Sequence, residues 1–327
     1  MDIKRIVLFA GLAIVSYLMV LAWNEDYHQP ATDQVAQSET TGNSTASADE
    51  MMLPEGNTGS SGDEFTTPDS GNGASVAANT QASGLTNRYV TVKTDVYELT
   101  IDRIGGNLVS SDLLKHDKTL NSEEPLKLLT NTSNRTYLME SGLIGRNGPD
   151  GRNASQPPVF ESGASSYTLE EGQDQLQIDL SYQTEDGINI IKRYVFGRDS
   201  YEIDVRYLIE NTSESPWEGN FTGKIVRDQS PDPTSQTSMG IRAYLGMVVS
   251  TPEDPYEKYD FDDLSEERLN QQVTNGWLAF LQHYFLTAWI PERDQPAQFQ
   301  TTKRDQLHVM GFVYPATTVA PGETAEV

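Results

Sequence analysis

Apolar and polar positions along this chain follow three regimes. From Ile6 to Ala22 no residue is charged and most are apolar, with Lys4 and Arg5 just before the run and Trp23 just after it. A helix rises 1.5 Å per residue, so eighteen helical residues reach roughly 27 Å, about one hydrocarbon core. From Asn24 to Asn87 the apolar positions have no period. Beyond Arg88 the period becomes two. Leu176, Ile178, Leu180 and Tyr182 alternate with Gln177, Asp179, Ser181 and Gln183, and Tyr201, Ile203, Val205, Tyr207 and Ile209 alternate with Glu202, Asp204, Arg206, Leu208 and Glu210. Such alternation marks half-buried antiparallel strands.

The third regime therefore predicts an all-β domain. Ile188–Phe196 and the turn Gly197-Arg198-Asp199-Ser200 lie between the two alternating runs, which is the pattern of a meander. Further strands are expected at Tyr89–Lys93, Val96–Ile101, Asn107–Leu113, Tyr167–Leu169, Phe221–Val226, Tyr244–Ser250 and Leu307–Tyr314. Turn signals such as Gly105-Gly106, Glu185-Asp186-Gly187 and Pro231-Asp232-Pro233 separate them. Asp263–Gln272 has capping residues but only Leu264 and Leu269 as apolar ones, so a short surface turn is expected. Ten or more strands in about 240 residues predict a large two-sheet sandwich. Gly276–Pro291 is the most apolar stretch after the first run. It is too short for a second membrane span, and Gln282 and His283 make its middle too polar. A central strand pair, buried on both faces, is expected there.

The first run reads as an uncleaved anchor. Lys4 and Arg5 hold the N-terminus in the cytoplasm, and Trp23 suits the outer interface. The rival reading is a signal peptide cleaved near Ala22; the run exceeds the roughly 7–15 residues of a signal core, which favours the anchor. Both readings export the remainder of the chain. The chain has no cysteine, which excludes a lipoprotein anchor, disulfides, thiolate metal sites and thiol catalysis together.

Charge narrows the class further. Lys and Arg total 23 against 48 Asp and Glu, a net −25, which argues against nucleic acid and against a polybasic lipid-binding role. Residues 24–87 contain ten acids and no Lys or Arg, and are rich in Ser, Thr, Gly, Asn and Ala. Too little apolar surface is present to offset the entropy of ordering them, so a disordered acidic tether is expected. As a coil it would span on the order of 40–50 Å. The expected organisation is an anchor at 1–23, a linker at 24–87 and a β-sandwich domain at 88–327.

Candidate chemistry is sparse. His28, His116, His283 and His308 show no metal-ligand spacing. Asp260, Asp262 and Asp263 lack the glycine and terminal Glu of a calcium loop. Nucleophile elbows and phosphate-cradling glycine loops do not occur. No catalytic, cofactor-binding or metal-binding residue is expected, and the chain is not expected to be an enzyme.

Several segments carry a resemblance. The anchor Met1-Asp2-Ile3-Lys4-Arg5 with its end at Trp23-Asn24 and the acidic linker after it are similar to the start of the YidC family of bacterial membrane protein insertases. Thr94–Asp102 with Gly105-Gly106, Ser141–Asp150, Ser250–Phe261, Gly276–Pro291 and Val319–Ala325 resemble, in order, parts of that family's large periplasmic domain. The resemblance implies a β-supersandwich related to the galactose-mutarotase fold, set in a Gram-negative inner membrane with its bulk in the periplasm. It implies partnership with the Sec translocon, especially SecDF, and with nascent inner-membrane proteins through the full-length protein. In the family, five further transmembrane helices do the insertase work, so this sequence reads as an N-terminal fragment. The family's SecF-contacting region maps near Arg206–Ser250, which makes Arg227, Ser230 and Thr234 the expected contact residues. The competing functions are a membrane-tethered carbohydrate-binding or mutarotase-like protein and an exported holdase with an open sheet face.

Overall fold

The structure is a computed structural model that describes Tyr17 and most of residues 65–327; residues 1–16, 18–64, 68–69, 75–84, 86, 120–121, 152–155, 233–242 and 267 lie outside the described residues. The expected anchor with Lys4, Arg5 and Trp23, most of the expected tether, and Thr234 all fall in those gaps. Among the described residues no helix is long and apolar enough to cross a membrane. The chain divides into two units, Met1–Gly59 and Ser60–Val327, and the described strands all belong to the second.

Strands dominate this unit. In chain order they begin with β1 (Phe65–Thr67), β2 (Ser70–Ala74), β3 (Tyr89–Lys93), β4 (Tyr97–Asp102), β5 (Asn107–Asp117), β6 (Pro125–Thr132) and β7 (Arg135–Ile144). Then come β8 (Glu161–Ser162), β9 (Ser166–Thr168), β10 (Gln175–Gln183), β11 (Ile188–Gly197), β12 (Ile203–Asn211), β13 (Trp217–Arg227), β14 (Gly246–Ser250) and β15 (Glu257–Tyr259). A single helical turn, α1 (Asp263–Glu266), precedes β16 (Asn270–Val273), β17 (Trp277–Leu281), β18 (Leu286–Trp289), β19 (Ala297–Arg304), β20 (Leu307–Val313), β21 (Thr317–Val319) and β22 (Thr324–Glu326). The stretch expected to be one surface turn thus splits into α1 and β16.

Three sheets build the sandwich. An eleven-stranded sheet runs β16-β19-β20-β13-β7-β6-β5-β4-β3-β9, with β21 on β13. It is antiparallel except where β3 meets β9. A five-stranded sheet, β22-β12-β11-β10-β8, and a four-stranded one, β15-β14-β17-β18, pack over its inner face. The five-stranded sheet contributes Ile178, Leu180, Ile190, Tyr194 and Ile209 to the core, the four-stranded one Met247, Val249, Leu278 and Phe280, and the large sheet Leu99, Phe221, Ile225, Phe299, Met310 and Phe312. Fully burying such side chains stabilises by about 1.5–3 kcal/mol each before entropy is counted. The alternation read in the sequence buries Ile178 and Leu180 of β10 and Tyr207 and Ile209 of β12 but leaves Tyr201 exposed, while β11 alternates throughout, with Ile188, Ile190, Lys192, Tyr194 and Phe196 buried.

Lys192 breaks the apolar pattern and ties two layers together. Its ammonium donates across the core to the carbonyls of Gly105 (3.0 Å) and Ser141 (2.9 Å) and to Asn107 Oδ1 (3.3 Å). The rings of Tyr194 and Tyr207 flank it at 5.5 and 5.4 Å. Gly106, at φ +61°, brings the large sheet close enough that a Cβ there would lie 3.0 Å from Lys192 Cδ.

The large sheet also has an outer face. There Leu138, Ile144, Val226, Val309 and Val313 form a second apolar cluster, and Phe65 of β1 completes it at 3% exposure. A paired hairpin, β1 with β2, therefore lies within the stretch expected to be tether.

Candidate functional site: the cleft between the two small sheets

The two small sheets do not pair with each other, so a gap remains between them over the inner face of the large sheet. This gap is a cleft of about 890 Å³. Leu99, Leu108, Leu129, Met139, Phe221 and Phe312 form its floor. One wall is β12 from Ile203 to Arg206; the other is β18 with Ile290 beyond it. Both walls are strand margins. β18 is the last strand of its sheet, and β22 pairs with β12 only over Leu208–Glu210. The next contact is the reciprocal backbone pair of Tyr207 and Val327.

Gly276–Pro291 departs from the expected doubly buried pair. β17 is buried, but β18 runs along the cleft with Leu286 54% and Ile290 74% exposed. A one-dimensional pattern shows apolar residues at alternate positions and cannot say which strand of a hairpin will be last in its sheet. Trp289 holds the strand down. Its ring seats on Gly223, where any Cβ would lie 2.8 Å away, and its Nε1 donates to the Lys224 carbonyl at 2.9 Å. Tyr137 adds a hydrogen bond of 2.7 Å with Thr287.

Polar groups sit at the rim. Arg206 bridges Glu326 (3.2 Å) and Asp204 (3.4 Å), and Glu202 and Glu292 complete an acidic margin. His116 stands edge-on to Phe285 at 5.2 Å and lies 5.9 Å from Tyr201. Deeper in, the buried hydroxyl of Tyr97 has no hydrogen-bond partner among the described residues. Burial pushes its ionisation well above the usual phenol range. The lining is thus a broad apolar trough with charged lips, able to hold an elongated ligand by its apolar side chains.

The three histidines of the domain do not gather there. Only His116 lines the cleft. His283, expected inside a buried strand, is exposed at the β17–β18 turn and stacks on Tyr284 at 3.8 Å. His308 is buried against Phe261 and its Nε2 meets the Gln229 amide at 3.1 Å. Burial lowers its pKa, favouring the neutral ring. Among the described residues no group of three His or carboxylates could hold a metal ion. Sugar anomerisation needs an acid and a base on opposite sides of a ring. Polarimetry of galactose with the purified chain is therefore expected to show the uncatalysed rate; acceleration lost in His116→Ala would reverse that assignment.

Arg227 and Ser230 lie at the base of one loop. Arg227 is fully buried, 5.3 Å from the Tyr137 ring and 5.5 Å from Phe280, and its guanidinium donates to the Asp228 carboxylate, Ser230 Oγ (2.8 Å) and the Ser230 carbonyl (2.6 Å). Its side chain holds the loop and presents nothing to solvent. Asp232 accepts from the His283 amide at 3.0 Å, which ties the same loop to the hairpin forming the cleft wall. Sequence reasoning missed Leu286 and Ile290 as exposed groups and Tyr97 as an unpartnered one.

Fold and cleft together define a β-sandwich module with an apolar trough open between its two smaller sheets. Residues 89–327 match the family profile of the YidC periplasmic domain, and the chain belongs to that family. It is 71% identical over its whole length to the membrane protein insertase YidC of Marinobacter nauticus and 42% identical to that of Hahella chejuensis. It spans 58% and 57% of the length of those two proteins. Among solved structures, a galactose mutarotase related enzyme from Lactobacillus acidophilus aligns over 73% of this chain and 95% of its own, with a TM-score of 0.47 and 11% identity. A putative aldose 1-epimerase from Escherichia coli aligns over 73% and 96%, with a TM-score of 0.38 and 10% identity.

Proposed function

We propose that this chain is the membrane-anchored periplasmic portion of an inner-membrane protein insertase, and that its sandwich serves as an interaction and scaffolding element. The observation that carries this reading is the family match over 89–327. The cleft supports it, with strand margins for walls and an apolar trough between them. In this reading residues 1–23 span the inner membrane once with the N-terminus inside, and 24–87 connect span to sandwich. The neighbours are the Sec translocon, SecDF in particular, and the clients are nascent inner-membrane proteins handled by the full-length protein. The contact surface is the loop begun by Arg227 and Ser230 and continued through Thr234, together with the hairpin it is tied to.

Photo-crosslinkers at Ser230, Thr234 and Tyr284 in the full-length protein test this in membranes. Capture of SecDF from these positions, and not from Gln177 or Asn189 on the five-stranded sheet, is the expected result. Capture from the control positions alone would move the surface. No capture from any position would remove SecDF as the neighbour.

A further inference from the structure

We propose that the outer face of the eleven-stranded sheet is a docking surface for the chain's own acidic linker, with Phe65 as the side chain it receives. Phe65 is the only Phe, Tyr or Trp between Tyr27 and Tyr89, and it is 3% exposed. A lone aromatic in a polar stretch is normally left in water; here it fills an apolar cluster on that face, among Leu138, Ile144, Val226, Val309 and Val313. The seat is shaped for a ring. Gly311 leaves the space: a Cβ there would lie 2.9 Å from Phe65 Cε2, besides meeting the β13 backbone. Lys224 Nζ lies 5.7 Å from the ring centroid, within cation–π range.

A further feature fits the linker as occupant: β2 pairs with β1 and so presents Phe65 on a short strand rather than on a loose loop. The family match begins at residue 89, so the contact lies outside the matched segment. Docking shortens any leash between residue 23 and the sandwich. For a coil, whose reach grows as the square root of its length, pinning residue 65 in place of residue 88 removes roughly a fifth of it.

The chain has no cysteine, so two can be introduced without background. Spin labels on Thr67→Cys and on Gln306→Cys, in the exposed β19–β20 turn, are placed in the full chain in lipid nanodiscs. A single narrow distance distribution is expected, and Phe65→Ala should broaden it. Amide exchange at Thr66 and Gly73 should accelerate at least ~10-fold in that variant, as for a locally undocked segment, while the thermal midpoint of the sandwich stays in place. A broad distribution in the unsubstituted chain overturns the proposal. So does a narrow one that survives Phe65→Ala, which would make the aromatic irrelevant. A narrow distance seen only between labels on different copies would replace docking in cis by exchange between molecules.

Discussion

Lys192→Ala is expected to cost about 3–5 kcal/mol, the range for removing one member of a buried charged network, and to leave little folded protein at 37 °C. Lys192 Nζ satisfies two carbonyls and one amide oxygen that water cannot reach. Removing it strands those acceptors and opens a cavity between the layers. Lys192→Met, which keeps the volume, should lose less; urea denaturation followed by fluorescence measures both. The same residue shapes the pH profile. Burial pulls the Lys192 pKa down to about 7 and that of Lys224 down to about 8. Above those values the unfolded chain still holds protons that the folded one has released, up to the ordinary lysine pKa. Stability must then rise with pH between about 7 and 9.5. Burial likewise raises the Asp150 pKa, which gives the opposite slope at lower pH. Lys192→Met should flatten the rise above pH 7. An identical rise in the variant would show that Lys192 stays charged in the fold.

Gly223→Val should be nearly as damaging, at about 3 kcal/mol or more, because overpacking a fixed seat displaces neighbours instead of filling space. A Cβ at Gly223 would lie 2.6 Å from the Phe312 ring and 2.8 Å from Trp289. Trp289 is what pins β18 to β13, so the cleft wall should loosen along with the core. Acrylamide should quench tryptophan fluorescence more strongly in this variant. Gly163→Ala, whose Cβ would meet only the Tyr167 hydroxyl at 3.4 Å, serves as the control and should stay within about 0.5 kcal/mol of the parent. Equal stability of the two variants would mean that Trp289 does not depend on this seat.

Strands whose alternation is clean in sequence were legible, and β10, β11 and β12 fall within two residues of the expected ranges. β7 and β19 were not legible, for a physical reason. Both lie inside the large sheet with partners on each side, and both bury polar residues on their faces, Ser141 in one and Gln300, Thr301 and Thr302 in the other. Hydrophobic period cannot register a buried threonine. The central strand β13 was read only from Phe221, because Gly219, Asn220 and Gly223 interrupt its apolar pattern; the structure gives Gly223 to the Trp289 ring. The cleft was illegible for another reason. It is made by two sheets failing to meet, and its lining comes from residues as far apart as Tyr97 and Val327. Phe65 carried a signal that composition alone hid: one aromatic among polar residues, outside any period.

The placement of β13 has a consequence for how the domain comes into being. β13 pairs with β7 on one side and β20 on the other, joining Met139 to Ile225 and Ile225 to Met310, while β22 closes on β12. A chain made from its N-terminal end can form the β10–β11–β12 meander early, since those pairings are local. The large sheet must wait for β19 and β20, which are made after most of the sandwich. Until then Phe221 and Ile225 of β13 lack Phe312 and Met310 of β20 beside them. The order of synthesis therefore supplies one wall of the cleft, β12, before β18 brings the opposite wall and β20 brings Phe312 to the floor.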